Sequence, residues 1–210
     1  MFITFEGLDS SGKSTQAKLL AEELKEEGKQ VVFLREPGGT GISEKIRAIL
    51  LDRDHLEMDQ LAELFLFSAA RTQLVTEVIQ PALSAGMIVL CDRFHDSTTA
   101  YQGYGRGLDL DAVKRINTVA TKGLLPDVTF ILDIPTSEIQ RRRSRAKLDV
   151  DRMESSGLEF YEKVRKGYQA IARGEPKRCV LIDGSKPLQE LREEIWSILS
   201  TKLSPTRERT

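Results

Sequence analysis

The residues with the clearest chemical potential stand near the start of the chain: Gly7-Leu8-Asp9-Ser10-Ser11-Gly12-Lys13-Ser14, followed by Thr15. They fit the pattern G-x-x-x-x-G-K-[ST], whose fixed positions would coincide by chance in about one in a hundred chains of this composition. The octapeptide follows an apolar run and opens a helix-period segment, the setting in which the pattern binds phosphate. Glycines let successive backbone N–H groups turn inward around phosphate oxygens, and a helix N-terminus adds partial positive charge. Lys13 is expected to reach the β- and γ-phosphates, and the Ser14 hydroxyl to ligate Mg²⁺. These residues predict a nucleoside triphosphate site.

Further along, Asp92-Arg93 closes another apolar run. A carboxylate at a strand end beside a phosphate loop can hold Mg²⁺ directly or through water, and an arginine next to it can clamp a phosphate with its planar fork. The stretch Arg35-Glu36-Pro37-Gly38-Gly39-Thr40-Gly41 is richer in glycine than a mere connection requires. Phe67 and Arg71, four residues apart, fall on one helix face; spacing alone leaves Phe67 open to a core role. By default Tyr101 and Gln102, in DSTTAYQGYGRG, read as loop and turn residues. Two phosphate groups facing each other call for cations from several segments. Lys13, Arg47, Arg93 and the run Arg141-Arg142-Arg143-Ser144-Arg145 supply them. Such a run is also the pattern of a solvated helix face, but here it precedes AKLDVDRMESSG, a mixed segment of the kind that forms a lid.

Several nucleotide-binding classes are excluded. A GTPase switch needs an Asn-Lys-x-Asp guanine reader, yet the single asparagine is Asn117, in INTVA. Gly103, Gly105 and Gly107 have the wrong spacing for a dinucleotide fingerprint. The chain is also too small for a coupled motor or transporter. A small-molecule kinase remains, with a stand-alone regulatory ATPase behind it.

The elements that must position these residues are legible as alternating short and long segments. Phe2 to Glu6, Gln30 to Arg35, Met87 to Cys91, Val128 to Asp133 and Arg178 to Ile182 are nearly continuous apolar runs, the mark of strands buried on both faces. Helix-period segments lie between and after them: Ser14 to Glu27, Ile42 to Leu51, Asp59 to Ala85, Asp111 to Thr121, Ser137 to Arg145, Leu158 to Arg173 and Leu188 to Lys202. Pro81 predicts two helices or a kink within Asp59 to Ala85. The alternation predicts an α/β fold with a parallel sheet covered on both sides. One domain over residues 1–203 is expected, with a lid at about 141–156 and a frayed tail at 204–210.

Composition bounds the rest. The 31 Lys and Arg against 32 Asp and Glu leave a formal charge of −1, which argues against a nucleic-acid coat or a polybasic membrane binder. No apolar run reaches the ~18–20 residues of a membrane span, and the N-terminus lacks the apolar stretch of a signal peptide. Cys91 and Cys179 cannot build a disulfide framework; both read as buried strand thiols of a protein in a reducing cytoplasm.

Taken in order, GLDSSGKST, REPGGT, LFSAARTQ, DRFHDSTTAYQGYGRG and LDIP resemble the bacterial thymidylate kinases, over about Phe2 to Lys202. The resemblance implies a P-loop kinase fold with a five-stranded parallel sheet in the order 2-3-1-4-5, helices on both faces and a mobile lid. It implies transfer of the γ-phosphoryl group of MgATP to the 5′-phosphate of dTMP, giving dTDP and ADP. On the donor side, Gly7 to Thr15 would bind the nucleotide, and Asp183, Gly184 and Ser185 would border the adenine. Ser14 and Asp92 would hold the metal. On the acceptor side, Phe67 would stack on thymine and Arg71 donate to its O4 edge. Arg93 and Arg47 would hold the acceptor phosphate, Glu36 with Pro37 would lie beside the reacting phosphate, and Asp9 would accept from the sugar 3′-hydroxyl. Tyr101 would crowd the ribose 2′-position, with Ser97 and Gln102 near the base. The resemblance also implies a homodimer packed through helices of the Asp59 to Ala85 and Asp111 to Thr121 regions.

This chain carries Ser10 and Ser11 where part of the family has an arginine in the phosphate loop. It therefore resembles the subclass whose lid provides the catalytic arginine, with Arg142, Arg143 and Arg145 as candidates. Phe94 stands at the usual aromatic site after Asp92-Arg93, followed by His95, to which no catalytic role is given. Two alternatives stay open: a kinase for another pyrimidine monophosphate, such as UMP or dCMP, and a nucleotide-binding regulatory ATPase.

Overall fold

Each apolar run becomes a parallel strand: β1 (Phe2–Gly7), β2 (Val31–Arg35), β3 (Ile88–Asp92), β4 (Val128–Asp133) and β5 (Cys179–Asp183). In this computed structural model, which describes residues 1–146, 152–153 and 157–203 and no side chain at 140 or 143–146, they form one sheet in the order β2-β3-β1-β4-β5. The expected lid falls partly outside the described residues, and the tail at 204–210 wholly so. Every strand boundary lies within one residue of its expected place.

The helices are α1 (Lys13–Glu26), α2 (Gly41–Leu51), α3 (Gln60–Leu74), α4 (Gln80–Ser84), α5 (His95–Thr98), α6 (Leu110–Ala120), α7 (Thr136–Ala146), α8 (Leu158–Gly174) and α9 (Leu188–Leu203). One sheet face, with Ile3, Phe5, Leu90 and Phe130, packs on Leu20 and Leu24 of α1 and on Leu191, Ile195 and Leu199 of α9. The opposite face buries Phe2, Val89 and Cys91 against Leu74 and Ile79, and Ile131 against Val164 and Tyr168 of α8. With both faces covered, every position of β1 and β3 and all of β4 but Asp133 is buried, and apolar runs replace alternation. Cutting Phe5 or Phe130, both fully buried, to alanine is the kind of change that costs ~3–5 kcal/mol.

The two helices expected around Pro81 are α3 and α4, joined without a break by a π-helical turn over Val75–Ile79. A proline ring collides with the carbonyl four residues back, and a wider turn just ahead of it opens that space. The stretch read as loop and turn is also helical: α5 runs into a π-helical segment over Thr99–Gly105. Its glycines misled. A Cβ on Gly105 would lie 2.6 Å from the Phe160 ring and 2.8 Å from Val164, so this glycine serves close packing on α8 rather than a turn.

Parallel register brings the C-terminal ends of the strands to one edge. Arg35 stands beside Asp92, Phe5 beside Asp92, Gly7 beside Leu132 and Asp133 beside Asp183. That edge, where the strand order reverses, is where open α/β sheets bind ligands.

Candidate active site

The phosphate loop leaves β1 at Gly7 and enters α1 at Lys13. Gly7 has φ +135°, and a Cβ there would sit 2.5 Å from the Leu132 carbonyl oxygen, so only glycine lets the loop lie against β4. Ser10 (φ 63°) and Gly12 (φ 95°) are left-handed, and no side chain caps α1. Its first N–H groups are thus left to face a ligand. Lys13 is 6% exposed, with its ammonium donating to the Leu8 carbonyl at 3.4 Å and 4.0 Å from the Asp9 carboxylate. Burial, then repulsion from Arg93, push its pKa down against the pull of Asp92, Asp9 and Glu6. Two buried oxygens, Ser11 Oγ in the loop and Asp92 Oδ1 at the end of β3, have no hydrogen-bond partner among the described residues. Ser14 and Thr15, in the first turn of α1, are exposed.

A cavity opens next to the loop, and all ten residues expected on the acceptor side line it: Asp9, Glu36, Pro37, Arg47, Phe67, Arg71, Arg93, Ser97, Tyr101 and Gln102. They come from the phosphate loop, the turn after β2, α2, α3, the turn after β3, α5 and the π-helical segment. Leu51, Thr98 and Met153 line it too and were not anticipated. The Glu36–Pro37 peptide is cis, and the Pro37 carbonyl accepts from Arg35 and Arg47, which orients the Arg47 fork.

Arg71 is held by four protein acceptors. Nε donates to Glu36 Oε2 at 2.8 Å, one terminal nitrogen to Thr98 Oγ1 (2.9 Å) and Asn117 Oδ1 (3.3 Å), and the other to the Phe94 carbonyl (3.1 Å). A guanidinium has five N–H donors; the nitrogen that donates to Phe94 also lies 2.7 Å from Glu36 Oε2, so the fifth N–H is at most shared between Glu36 and a base. Glu36 is buried, and its other oxygen, Oε1, has no partner among the described residues. Burial pushes the Glu36 pKa up while Arg71 draws it down, and the net direction is upward.

Arg93 occupies a left-handed backbone conformation (φ 73°), held by its N–H donating to the Phe5 carbonyl at 2.9 Å. Its guanidinium donates to Asp9 Oδ1 (2.5 Å), the Gly7 carbonyl (3.0 Å), Ser97 Oγ (3.1 Å) and the Tyr168 and Tyr101 hydroxyls (3.3 Å each). Asp9 Oδ2 accepts from Tyr101 at 3.0 Å and Tyr161 at 3.4 Å. Below this cluster lies Glu6, wholly buried, taking Phe94 N–H (2.7 Å), Ser97 Oγ–H (2.5 Å) and Tyr168 O–H (3.0 Å). Desolvation first, then the charge of Asp96, raise the Glu6 pKa to about 7. Glu6, Tyr161 and Tyr168 were missed in the sequence, since no local motif marks them.

On the donor side Arg142 of α7 lies over the phosphate loop. It donates to the carbonyls of Ser10 (3.0 Å), Ser11 (3.2 Å) and Gly184 (3.0 Å), joining the loop to the turn Asp183-Gly184-Ser185. Arg141 is exposed and pairs with Glu138 at 2.7 Å. The side chains of Arg143 and Arg145 lie outside the described residues. His95 is buried, and desolvation lowers its pKa, keeping it neutral. Cys91 and Cys179 are free and buried.

Residues 5–195 match the family model for thymidylate kinase. The chain is 50% identical over 207 residues to a thymidylate kinase of Chlorobaculum parvum, covering 95% of each chain. It is 51% identical over 183 residues to one from Caldanaerobacter subterraneus, covering 87% of this chain and 86% of that one. The crystal structure of thymidylate kinase from Ehrlichia chaffeensis is similar with a TM-score of 0.79 at 39% identity, covering 95% of this chain and 98% of that one.

Proposed function

The chain belongs to the thymidylate kinase family and transfers the γ-phosphoryl group of ATP to dTMP, and we propose the following division of labour among its residues. The observation that carries it is the convergence of seven segments on one cavity beside the phosphate loop, with a ring at Phe67 and a guanidinium at Arg71 on one helix face. Phe67 stacks on the base, and the Arg71 N–H that Glu36 shares serves its O4 edge. Arg93 and Arg47 grip the 5′-phosphate of the acceptor, with Arg93 exchanging part of its hold on Asp9 for phosphate oxygens. Asp9 then accepts from the sugar hydroxyl, and Tyr101 walls off the 2′-position. Ser97 and Gln102 stand near the base, and Glu36 with Pro37 beside the reacting phosphate.

Gly7 to Thr15 cradle the triphosphate, and Asp183 to Ser185 border the adenine. Lys13, buried in a place that weakens its hold on a proton, is ready to donate to anionic oxygens in a low-dielectric site. Arg142, Arg143 and Arg145 belong to the lid segment at about 141–156 of a single domain spanning 1–203, ahead of the tail at 204–210. In-line transfer asks little covalent chemistry of the protein, so holding both phosphates in line does most of the work.

The residues present suit Mg²⁺. Oxygen donors with few protein ligands are what this ion takes when it arrives with nucleotide phosphates, and the unpartnered Asp92 Oδ1 and the exposed Ser14 hydroxyl offer such oxygens. Bound there, the ion would neutralise charge on the phosphates.

Two further parts of the reading concern the whole molecule. Leu61 and Phe65 of α3 and Val119 of α6 are large apolar residues at 45%, 52% and 77% exposure, and α3 packs on α6; a homodimer through these helices would cover them. A cytoplasmic location suits the two free thiols; no described helix is long and apolar enough to cross a membrane. A coupled assay of ADP release with MgATP and a panel of monophosphates tests the assignment. dTMP should far exceed AMP, GMP and CMP, with dUMP the nearest competitor; equal turnover of GMP would refute the acceptor site described.

A further inference from the structure

Glu63 projects from α3 into the protein behind Gln102 and is 1% exposed. Its Oε1 accepts from Gln102 Nε2 at 2.9 Å and Arg106 Nε at 3.2 Å. Its Oε2 accepts from Arg106 at 3.2 Å and pairs with Arg152 at 2.7 Å. Burial alone would raise the pKa of this carboxyl, but Arg106, Gln102 and Arg152 outweigh it and hold it below the usual range. Glu63 is therefore ionised and can only accept hydrogen bonds. An amide beside an accept-only group has one choice of orientation: the Gln102 NH₂ must face Glu63, which turns the Gln102 carbonyl oxygen away from it, in a residue that lines the cavity.

We propose that Glu63 is a positioning residue for base selection, fixing the Gln102 amide so that the acceptor pocket presents a hydrogen-bond acceptor to the base. That acceptor matches the N3–H of thymine or uracil and opposes the N3 lone pair of cytosine. The inference rests on the dTMP kinase reading and deepens it, since it says how one edge of the base is read. The same carboxylate holds Arg152, next to the cavity-lining Met153, so the element that sets the amide also seats the only described part of the segment at 147–156.

The exchange Glu63→Gln makes the proposal testable. Oε2 lies under two arginines and Oε1 under one, so the new side chain keeps its carbonyl at Oε2 and turns its NH₂ toward Gln102. A donor now faces the amide, and the Gln102 carboxamide must turn over, showing its own NH₂ to the base. Sites that hydrogen-bond a ligand group discriminate strongly against a partner of the wrong sense. The ratio of kcat/KM for dTMP over dCMP should therefore fall at least tenfold in Glu63→Gln. The loss on dTMP should lie mainly in KM, because base contacts are made in ground and transition state alike. A merely structural role would lower both substrates together and leave the ratio unchanged, which overturns the proposal. If the single variant does not fold, the charge-balanced pair Glu63→Gln with Arg106→Gln carries the same test; failure of both to fold assigns Glu63 to the scaffold and also overturns it. Wild-type enzyme inactive on dTMP would instead refute the underlying kinase reading.

Discussion

The guanidinium of Arg93 and the carboxylate of Asp9 meet at 2.5 Å, tying the turn after β3 to the phosphate loop across the place where two phosphates must face each other. Removing either partner leaves a charge in a site only 16–21% exposed on both side chains, which is costly. Arg93→Ala should therefore lower the melting temperature as well as cut kcat/KM for dTMP by roughly 10²–10³, the scale of a lost transition-state donor. Arg93→Lys should restore much of the thermal stability but little of the activity, since an ammonium lacks the planar fork. Full activity in the lysine variant would show that only charge matters here.

Tyr101 joins Asp9 through its hydroxyl and offers its ring to the cavity, so the two features can be separated. Tyr101→Phe should keep discrimination between dTMP and its ribonucleotide counterpart, and Tyr101→Ala should relax it, because selectivity built on a clash disappears with the clashing group. The ratio of kcat/KM for the two nucleotides measures this. An unchanged ratio in Tyr101→Ala would leave the ring a structural part only.

The lid arginines should divide by role. Arg142 spans the carbonyls of the phosphate loop and of Gly184, so Arg142→Ala is expected to raise KM for ATP. A contact made in the closed complex lowers kcat more than it raises KM. At least one of Arg142→Ala, Arg143→Ala and Arg145→Ala should lose roughly 10²-fold or more in kcat, as supplied arginines do. Near wild-type kcat in all three and in the triple variant would place the cation elsewhere.

Glu6 gives a pH signature of folding. Its native pKa of about 7 lies above the ordinary 4.5, so the native state holds this proton where the unfolded chain has released it. The contribution is fully present below about pH 4.5 and is lost as pH rises through 7. Glu6→Gln, which keeps an acceptor for Phe94 N–H, should therefore melt above the wild type at pH 8, with the gap narrowing toward pH 5. Melting curves of both proteins from pH 5 to 8 decide it; a gap that is constant or widens toward low pH would contradict the cause given.

How much of this was legible depends on the range of the interactions. Strands were visible because a sheet covered on both faces imposes continuous apolar runs, and helices because α1, with Ala17, Leu20 and Leu24, buries one stripe. The phosphate loop could be read because its whole pattern lies within eight consecutive residues. The helical nature of 95–105 could not: Gly105, packed on Phe160 and Val164, looks like a turn glycine when those partners are 55 or more residues away. Glu6 and Tyr168 stand 162 positions apart and share a hydrogen bond that no local pattern announces. Phe67 and Arg71 lay between these extremes, since spacing placed them on one face but left open what that face touches.

Arg71 carries a consequence for how the pocket takes its ligand. Glu36, Thr98, Asn117 and the Phe94 carbonyl immobilise its guanidinium before any base arrives, so binding does not have to freeze a long flexible side chain, a cost of ~0.5–1.5 kcal/mol for such a residue. If Arg71 reads the base as proposed, the recognition surface is preorganised, and its selectivity comes from rigidity. In the proposed reading, a base that cannot share the one N–H facing Glu36 finds no alternative geometry to adopt, because four protein acceptors would have to let go first.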